Sequence, residues 1–300
     1  MRIDKYLKTK LPQISRRQIE KALLKGDILV NQKQVKPSYQ VKPDDSIKIN
    51  ITPNVKIQKL IPLPLIPEPR ILYEDNELLA IDKPAGINVH PTIQNLKQPS
   101  IASWLVYKYP KIMTVGDDVL RPGIVHRLDK DTSGVLLVAK NQESFLYLKN
   151  LFLTRQIEKT YLALVRGVIK KENGVIDFSL IKSRTFGKRK IVLRPTLFKK
   201  EKPAITYYQV EQRYQDFTLL KVIPKTGRTH QIRVHLASIG FPVAGDKVYG
   251  RSKKSRLIFS RQMLHAQKIV FFSSNHTKLT IFSPLPNDFK QVLQGLRPIA

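Results

Sequence analysis

The chain has 300 residues, room for one medium domain and a small companion, and its 42% hydrophobic and 25% charged residues are those of a folded protein and not of a disordered one. Its 53 Lys and Arg against 23 Asp and Glu leave a net charge of +30, far beyond what solubility requires; nucleic acid is the expected partner, ahead of an acidic membrane surface, because the cations are spread along the chain. There is no cysteine, which excludes disulfides and thiolate metal sites, and neither the apolar stretch of a signal peptide nor a membrane span of about 20 apolar residues is seen, so the expected location is the cytoplasm.

Residues 1–51 predict one compact unit. Its clearest element is "SRRQIEKALLKG" (15–26), where Ser15 and Gln18 have capping-box spacing, Gly26 suits a helix stop, and Ile19, Ala22 and Leu23 form the inward stripe. Arg17, Lys21 and Lys25 recur every four residues, with Arg16 beside them, so one flank presents cations at a pitch suited to phosphates; a solvated helix face is the competing reading. "ILVNQKQV" (28–35) then predicts a tight hairpin of two short strands. The order of "RIDKYL", this helix and hairpin, and "VKPDDSIKI" resembles the S-four (α-L) RNA-binding domain, and that resemblance implies an RNA-docking module.

Residues 52–69 hold five prolines and predict an extended linker. From Arg70 to the end of the chain, short β-rich runs such as "ELLAIDKP", "GVLLVAK", "TYLALVRG", "AITYYQVEQRY" and "FTLLKVIP" alternate irregularly with helical stretches at Ser100–Tyr109 and Gln142–Leu153. The expected fold is α+β with a mixed, largely antiparallel sheet; the lack of regular βαβ alternation argues against a doubly wound parallel sheet.

Common nucleotide, zinc-protease and serine-hydrolase motifs are absent. His230 and His235 are five apart in "THQIRVH"; on a strand they would face opposite sides, a poor metal pair. Asp129 and Asp131, two apart, have no evident third ligand, so a metal-dependent nuclease is the weaker reading of them. Asp129 lies in "GIVHRLDKDTSGVLLVAK" (123–140), at a turn between two apolar runs, where an aspartate is most often a backbone cap.

Three further stretches change that balance. "LYEDNELLAIDKPAGINVHP" (72–91), "EKTYLALVRG" (158–167) and "KTGRTHQIRVHLASIGFPVAGDKVYG" (225–250) flank the H-R-L-D segment in this order, and the set resembles the RluA-type pseudouridine synthases over most of residues 70–285. With the S-four domain in front, the architecture is similar to the ribosomal large-subunit members, and "RPGIVHRLDKDTSG" with "SRQMLHA" looks closest to the RluD-type branch. The resemblance implies isomerisation of uridine to pseudouridine in RNA, ribosomal RNA first and transfer RNA second, with no cofactor and no metal. It also leaves a catalytically silent RNA-binding or ribosome-assembly factor on the same fold as the alternative.

By the same resemblance, Asp129 is the catalytic aspartate, ionised at neutral pH since a free Asp titrates near ~3.9. Arg228 is the arginine that pairs with it, and Tyr161 is the active-site tyrosine that stacks on the uracil and takes part in late proton removal from C5. Arg127 fills the gap left by the extruded base, and His126 either packs the turn or contacts phosphate. Whether the carboxylate attacks C1′, attacks uracil C6 or assists elimination through a glycal stays open, the glycal route being favoured. The acid-free stretch 182–200, with Arg184, Lys188, Arg189 and Lys190, predicts a basic hairpin on RNA. A monomer is the default expectation.

Overall fold

The computed structural model describes residues 1–11, 14, 16–50, 60–65, 67–91, 95–183, 189–192, 201–250 and 259–299, the side chain of Arg17 excepted. Helices α1 (Ile3–Lys10) and α2 (Arg16–Lys25) precede three short antiparallel strands, β1 (Ile28–Val30), β2 (Lys33–Gln34) and β3 (Ile47–Ile49), in the order β2-β1-β3. Gly26 ends α2 with a φ of +83°, which lets the Asp27 N–H reach back to the Ala22 carbonyl at 3.0 Å. Asn31 and Gln32, both left-handed, form the two-residue turn of the expected hairpin. Ile3, Leu7, Ile19, Leu23 and Ile28 close a core belonging to this unit alone. Ser15, half of the expected capping box, lies outside the described residues.

The larger unit is a twisted mixed sheet, as the irregular order of strand and helix signals predicts. Its elements are β4 (Arg70–Glu74), β5 (Leu78–Lys83), α3 (Ile101–Lys108), β6 (Ser133–Ala139), α4 (Gln142–Leu153), β7 (Glu158–Arg166), β8 (Asn173–Asp177), β9 (Ser179–Lys182), β10 (Arg189–Val192), β11 (Ile205–Arg213), β12 (Phe217–Pro224), α5 (Gln231–Ser238), β13 (Leu264–Phe272), β14 (Lys278–Phe282) and α6 (Asn287–Gln294). The main sheet runs β4-β5-β6-β13-β7-β12-β11-β8, with β14 paired to the later half of β13, while β9 and β10 form their own ribbon. Among the described residues no helix is long and apolar enough to cross a membrane.

Local chemistry explains the boundaries. Ser100 and Ser103 cap α3 reciprocally, and Asn141 and Ser144 do the same for α4, so both helices begin where their orphan N–H groups find partners. Ala163 and Val165 of β7 pack in the cluster with Ile232 and Leu236 of α5, whereas Leu164 between them joins Phe289 of α6. The alternation of a strand therefore places these two helices on opposite faces of β7. Leu60 and Leu65 share the core of Leu79 and Trp104, and the Leu63 N–H bonds the Ser103 carbonyl at 3.1 Å. Residues 60–65 of the expected linker are thus part of this unit's wall; residues 51–59 and 66 lie outside the described ones.

Among the described strands every pair is antiparallel except β6 and β13, which run parallel for two residue pairs, Ser133–His265 and Gly134–Ala266. Gly134 makes that meeting possible. Its φ is +116°, and a Cβ there would lie 2.1 Å from the Ala266 carbonyl oxygen. The turn that carries Asp129 enters β6 at this junction. Gly134→Ala is expected to destabilise the protein by about 2–4 kcal/mol, the sum of backbone strain and a clash that backbone atoms cannot evade. Chemical denaturation measures this, and an unchanged unfolding midpoint would contradict the steric argument.

Candidate active site

The turn before β6 is pinned on two sides. Lys83, fully buried at the end of β5, donates from Nζ to the carbonyls of Pro84 (2.6 Å) and Lys130 (3.0 Å), next door to Asp129; burial pulls its pKa down to about 7. On the other side the His126 Nε2 accepts the Leu137 N–H at 2.8 Å and its ring stacks on Phe152 with centroids 4.6 Å apart. Burial holds His126 near a pKa of about 3, hence neutral. Its Nε2 is committed to the strand, so His126 packs the turn, and the residue also lines the larger of the cavities described below.

Asp129 is held by Arg233. The Arg233 Nη1 donates to Asp129 Oδ2 at 2.8 Å, while Nε and Nη2 grip both oxygens of Asp246 at 2.7 and 2.9 Å. Burial opposes the charge of Arg233, but the two carboxylates more than offset it and raise its pKa above the ordinary range. Burial likewise opposes the charge of Asp246; the bonds from Arg233 and from the Tyr249 and Val248 N–H groups prevail and lower its pKa.

This corrects the expectation that Arg228 pairs with Asp129. Arg228 precedes α5, its backbone N–H bonds Gln231 Oε1 at 3.0 Å, and its Nε points to the Pro203 carbonyl at 3.3 Å. Arg233 instead sits in the first turn of α5. The segment 231–238 is helix, not strand, so His230 and His235 diverge for a helical reason: His235 is buried against Thr206 Oγ1 and the Phe178 carbonyl, and His230 faces Asp129 across 3.9 Å. Among the described residues no group of three His, Cys, Asp or Glu is placed to hold a metal.

Asp129 lies where two cavities meet. The larger, about 620 Å³, is lined by Tyr161, Leu128, Ile232, Arg155, Lys159 and Arg228, and the smaller, about 270 Å³, by Asn88, Lys130, Lys247 and Arg261; Arg127, Asp129, His230 and Arg233 border both. The larger is of a size that accepts a small ligand such as a nucleoside. Burial, and then the charge of Asp129, push the Tyr161 hydroxyl above its ordinary pKa, so it stays protonated at neutral pH. Tyr161 therefore presents a neutral phenol to the larger cavity. Lys159 is drawn down to about 8 by burial and by Arg155. Arg127 is exposed and donates to His90 Nε2 at 3.1 Å.

The remaining expected RNA contacts separate into groups. Arg16 is tied to the fully buried Asp4 (Nε to Oδ2, 2.7 Å) and also faces Glu20, so it neutralises an internal charge, a correction to its place in the phosphate row. Lys21 and Lys25 are exposed. Arg189 is half-buried, its Nη2 3.3 Å from Thr229 Oγ1, and Lys190 is exposed on the same strand. Arg184, Lys188 and the side chain of Arg17 lie outside the described residues.

Comparison with known proteins places this geometry in context. The family model described as RNA pseudouridylate synthase matches residues 77–238, and the S4 domain model matches residues 1–47. The chain is 35% identical to the uncharacterized RNA pseudouridine synthase YlyB of Bacillus subtilis (99% of this chain, 94% of that one). It is 36% identical to ribosomal large subunit pseudouridine synthase C of Buchnera aphidicola (98% and 93%). Among solved structures, human RNA pseudouridylate synthase domain containing 1 superposes with a TM-score of 0.62 at 24% identity over 79% of this chain and 91% of that one, a likeness of fold.

Arg233→Gln should destabilise the protein by about 3–5 kcal/mol at pH 7, because it leaves the buried Asp246 without its counter-charge. The lowered pKa of Asp246 means that its contribution is present above the unfolded value and lost as pH falls, so the deficit should shrink below about pH 4. Arg228→Gln should change stability by less than about 0.5 kcal/mol. Urea unfolding at pH 7 and pH 3 tests all three; an equal deficit for Arg233→Gln at both pH values would contradict the charge argument.

Proposed function

Because the chain belongs to the RluA-type RNA pseudouridine synthases and is therefore an RNA-modifying isomerase, we propose that it converts specific uridines of large-subunit ribosomal RNA to pseudouridine, with Asp129 as the reacting group. The observation that carries the assignment of Asp129 is its division of labour. Oδ2 is fixed by a buried guanidinium, while Oδ1 accepts no hydrogen bond from the described residues and fronts a nucleoside-sized cavity.

The isomerisation breaks the bond from ribose C1′ to uracil N1 and forms one from C1′ to C5, while C5 gives up its proton and N1 takes one up, so that atoms and charge balance. In the glycal route Oδ1 takes the proton of C2′ as the N1 bond breaks, the base turns within the cavity, and C5 adds to C1′ while the proton returns to C2′. Tyr161 supplies the surface against which the base rests. A uridine in structured RNA reaches the cavity only by leaving its stack, a cost of a few kcal/mol, and Arg127 at the cavity mouth is placed to fill the gap.

Arg155, Lys159, Lys225 and Arg228 around the rim give the flanking phosphates a cationic bed, and the exposed Lys21 and Lys25 offer a separate set of cations on the S4 domain. The Arg189–Val192 strand is the described part of the basic hairpin that we assign to RNA. We read the protein as a cytoplasmic monomer, its expected RNA contact needing no second copy.

Asp129→Asn should abolish tritium release from C5-labelled RNA while leaving RNA affinity within about twofold, since one rim charge among many contributes little to docking. Turnover comparable to that of the wild type would refute the assignment. Removing residues 1–51 should weaken RNA binding by about tenfold or more and flatten its salt dependence; a filter-binding series between low and moderate salt with no change would remove the docking role.

A further inference from the structure

We propose that His230, together with the free oxygen of Asp129, reads the ribose 2′-hydroxyl of the target nucleotide, and that Tyr249 positions His230 by fixing its tautomer; this rests on the pseudouridine synthase reading above.

His230 is held in an uncommon conformation. It stands at the start of α5 with φ 58° and ψ 17°, the left-handed region that a non-glycine residue enters at a cost, and its side chain does not cap the helix. The ring looks the other way, toward Asp129. Its Nδ1 lies 3.1 Å from the Tyr249 hydroxyl, and that hydroxyl accepts the backbone N–H of Arg189 at 2.8 Å. A phenol has one proton to give. With its oxygen accepting from Arg189, and with no other acceptor for its proton among the described residues, the hydroxyl donates to Nδ1, so the ring proton resides on Nε2. Tyr249 is itself anchored, its ring against the Arg233 guanidinium at 5.4 Å.

Four charged groups face the imidazole: Asp129, Arg233, Asp246 and Arg189. Burial lowers the pKa of His230 first of all, and the two acids do not outweigh burial and the two arginines together, so the ring is neutral at working pH. The result is a neutral Nε2–H donor directed at Asp129 Oδ1.

The distance between them decides what they are for. At 3.9 Å the pair is too far apart to bond directly, yet one oxygen about 2.8 Å from each fits between. That oxygen must accept from Nε2–H and donate to a carboxylate. The uracil carbonyls and the ribose ring oxygen only accept, and the 3′ and 5′ oxygens of an internal nucleotide are esterified. The 2′-hydroxyl alone does both, and it sits on the carbon next to C1′, where Asp129 acts. The pair thus demands ribose at the reacting position and sets that carbon against Oδ1.

A synthetic RNA stem-loop carrying a mapped target uridine, made with uridine or with 2′-deoxyuridine at that one position, tests this by single-turnover tritium release. The wild type should lose about 10- to 100-fold on the deoxy target, the range for one hydrogen bond to a charged group. His230→Gly, which keeps the left-handed backbone without strain, should lose activity on uridine and discriminate between the two RNAs less than the wild type does, because only the Asp129 bond to the hydroxyl remains. Tyr249→Phe should fall between. Should the deoxy target turn over too slowly to time, competition affinities carry the same comparison: the ribose RNA should compete better than the deoxy RNA for the wild type, and by a smaller margin for His230→Gly. Nitrogen NMR of the wild type should show Nδ1 bare and Nε2 protonated. Equal losses on both RNAs, a wild-type Nδ1–H tautomer, or a Tyr249→Phe enzyme with full discrimination would overturn the proposal. Wild-type turnover of the ribose RNA with none by Asp129→Asn would leave the pseudouridine synthase reading standing in each of those cases.

Discussion

A single buried guanidinium, that of Arg233, is shared by two carboxylates, and the rest of the site is arranged around that sharing. Burying an unpaired charge costs several kcal/mol, so Arg233 cannot leave Asp246, and Asp129 inherits a fixed partner as a result. Three segments must meet for this: the turn ahead of β6, the first turn of α5, and the loop around Asp246. Gly245 allows the last of them in, because a Cβ at its position would lie 1.9 Å from the Arg261 carbonyl oxygen. Gln231 settles the second by joining Thr226 Oγ1, the Arg228 N–H, the Ile205 carbonyl and Thr206 Oγ1.

The aspartate turn owes its place to the parallel contact of β6 with β13, in a sheet whose other described strand pairs are antiparallel. β6 and β13 touch for two residue pairs, and the residues just ahead of that contact, Asp129 to Thr132 on one side and Arg261, Gln262 and Leu264 on the other, contribute to the cavity walls. Lys83 and His126 then hold the turn from beneath through main-chain bonds, one as a donor to carbonyls and the other as an acceptor for an N–H. Neither group carries the chemistry. Each removes a freedom that would let the carboxylate drift, and an aim error of about 1 Å is enough to cost a large factor in rate.

Much of this was legible in the sequence. The helices at Gln142–Leu153 and within Ser100–Tyr109, the Gly26 stop, the two-residue hairpin turn and the strand runs all follow from local rules of capping, periodicity and turn chemistry, which act over a few residues. Asp129 and Tyr161 stand out because their motifs are short and ordered along the chain, and the structure brings both to the same cavity. What escaped was long-range. Arg233 and Arg228 lie in one motif, five residues apart, and choosing between them requires knowing that "QIRVHLAS" is helix; Ile232 and Leu236, at helical spacing, were the available signal. Asp246, over a hundred positions from Asp129, joins it only through the fold. Arg16 looked like a phosphate contact because the burial of Asp4 is invisible in one dimension.

The account thus reduces function to a carboxylate aimed by a charge it does not own. Asp246 is not itself a lining residue of either cavity; it bonds Arg233 through both oxygens and the Val248 and Tyr249 N–H groups through one, so it acts on the chemistry through these neighbours, Arg233 first. The most direct measurement is the single-turnover rate of Asp246→Asn on modifiable RNA, taken well below the variant's unfolding temperature. A loss of about 10- to 100-fold with unchanged RNA affinity is the expected result of a loosened guanidinium. A rate equal to that of the wild type would contradict it.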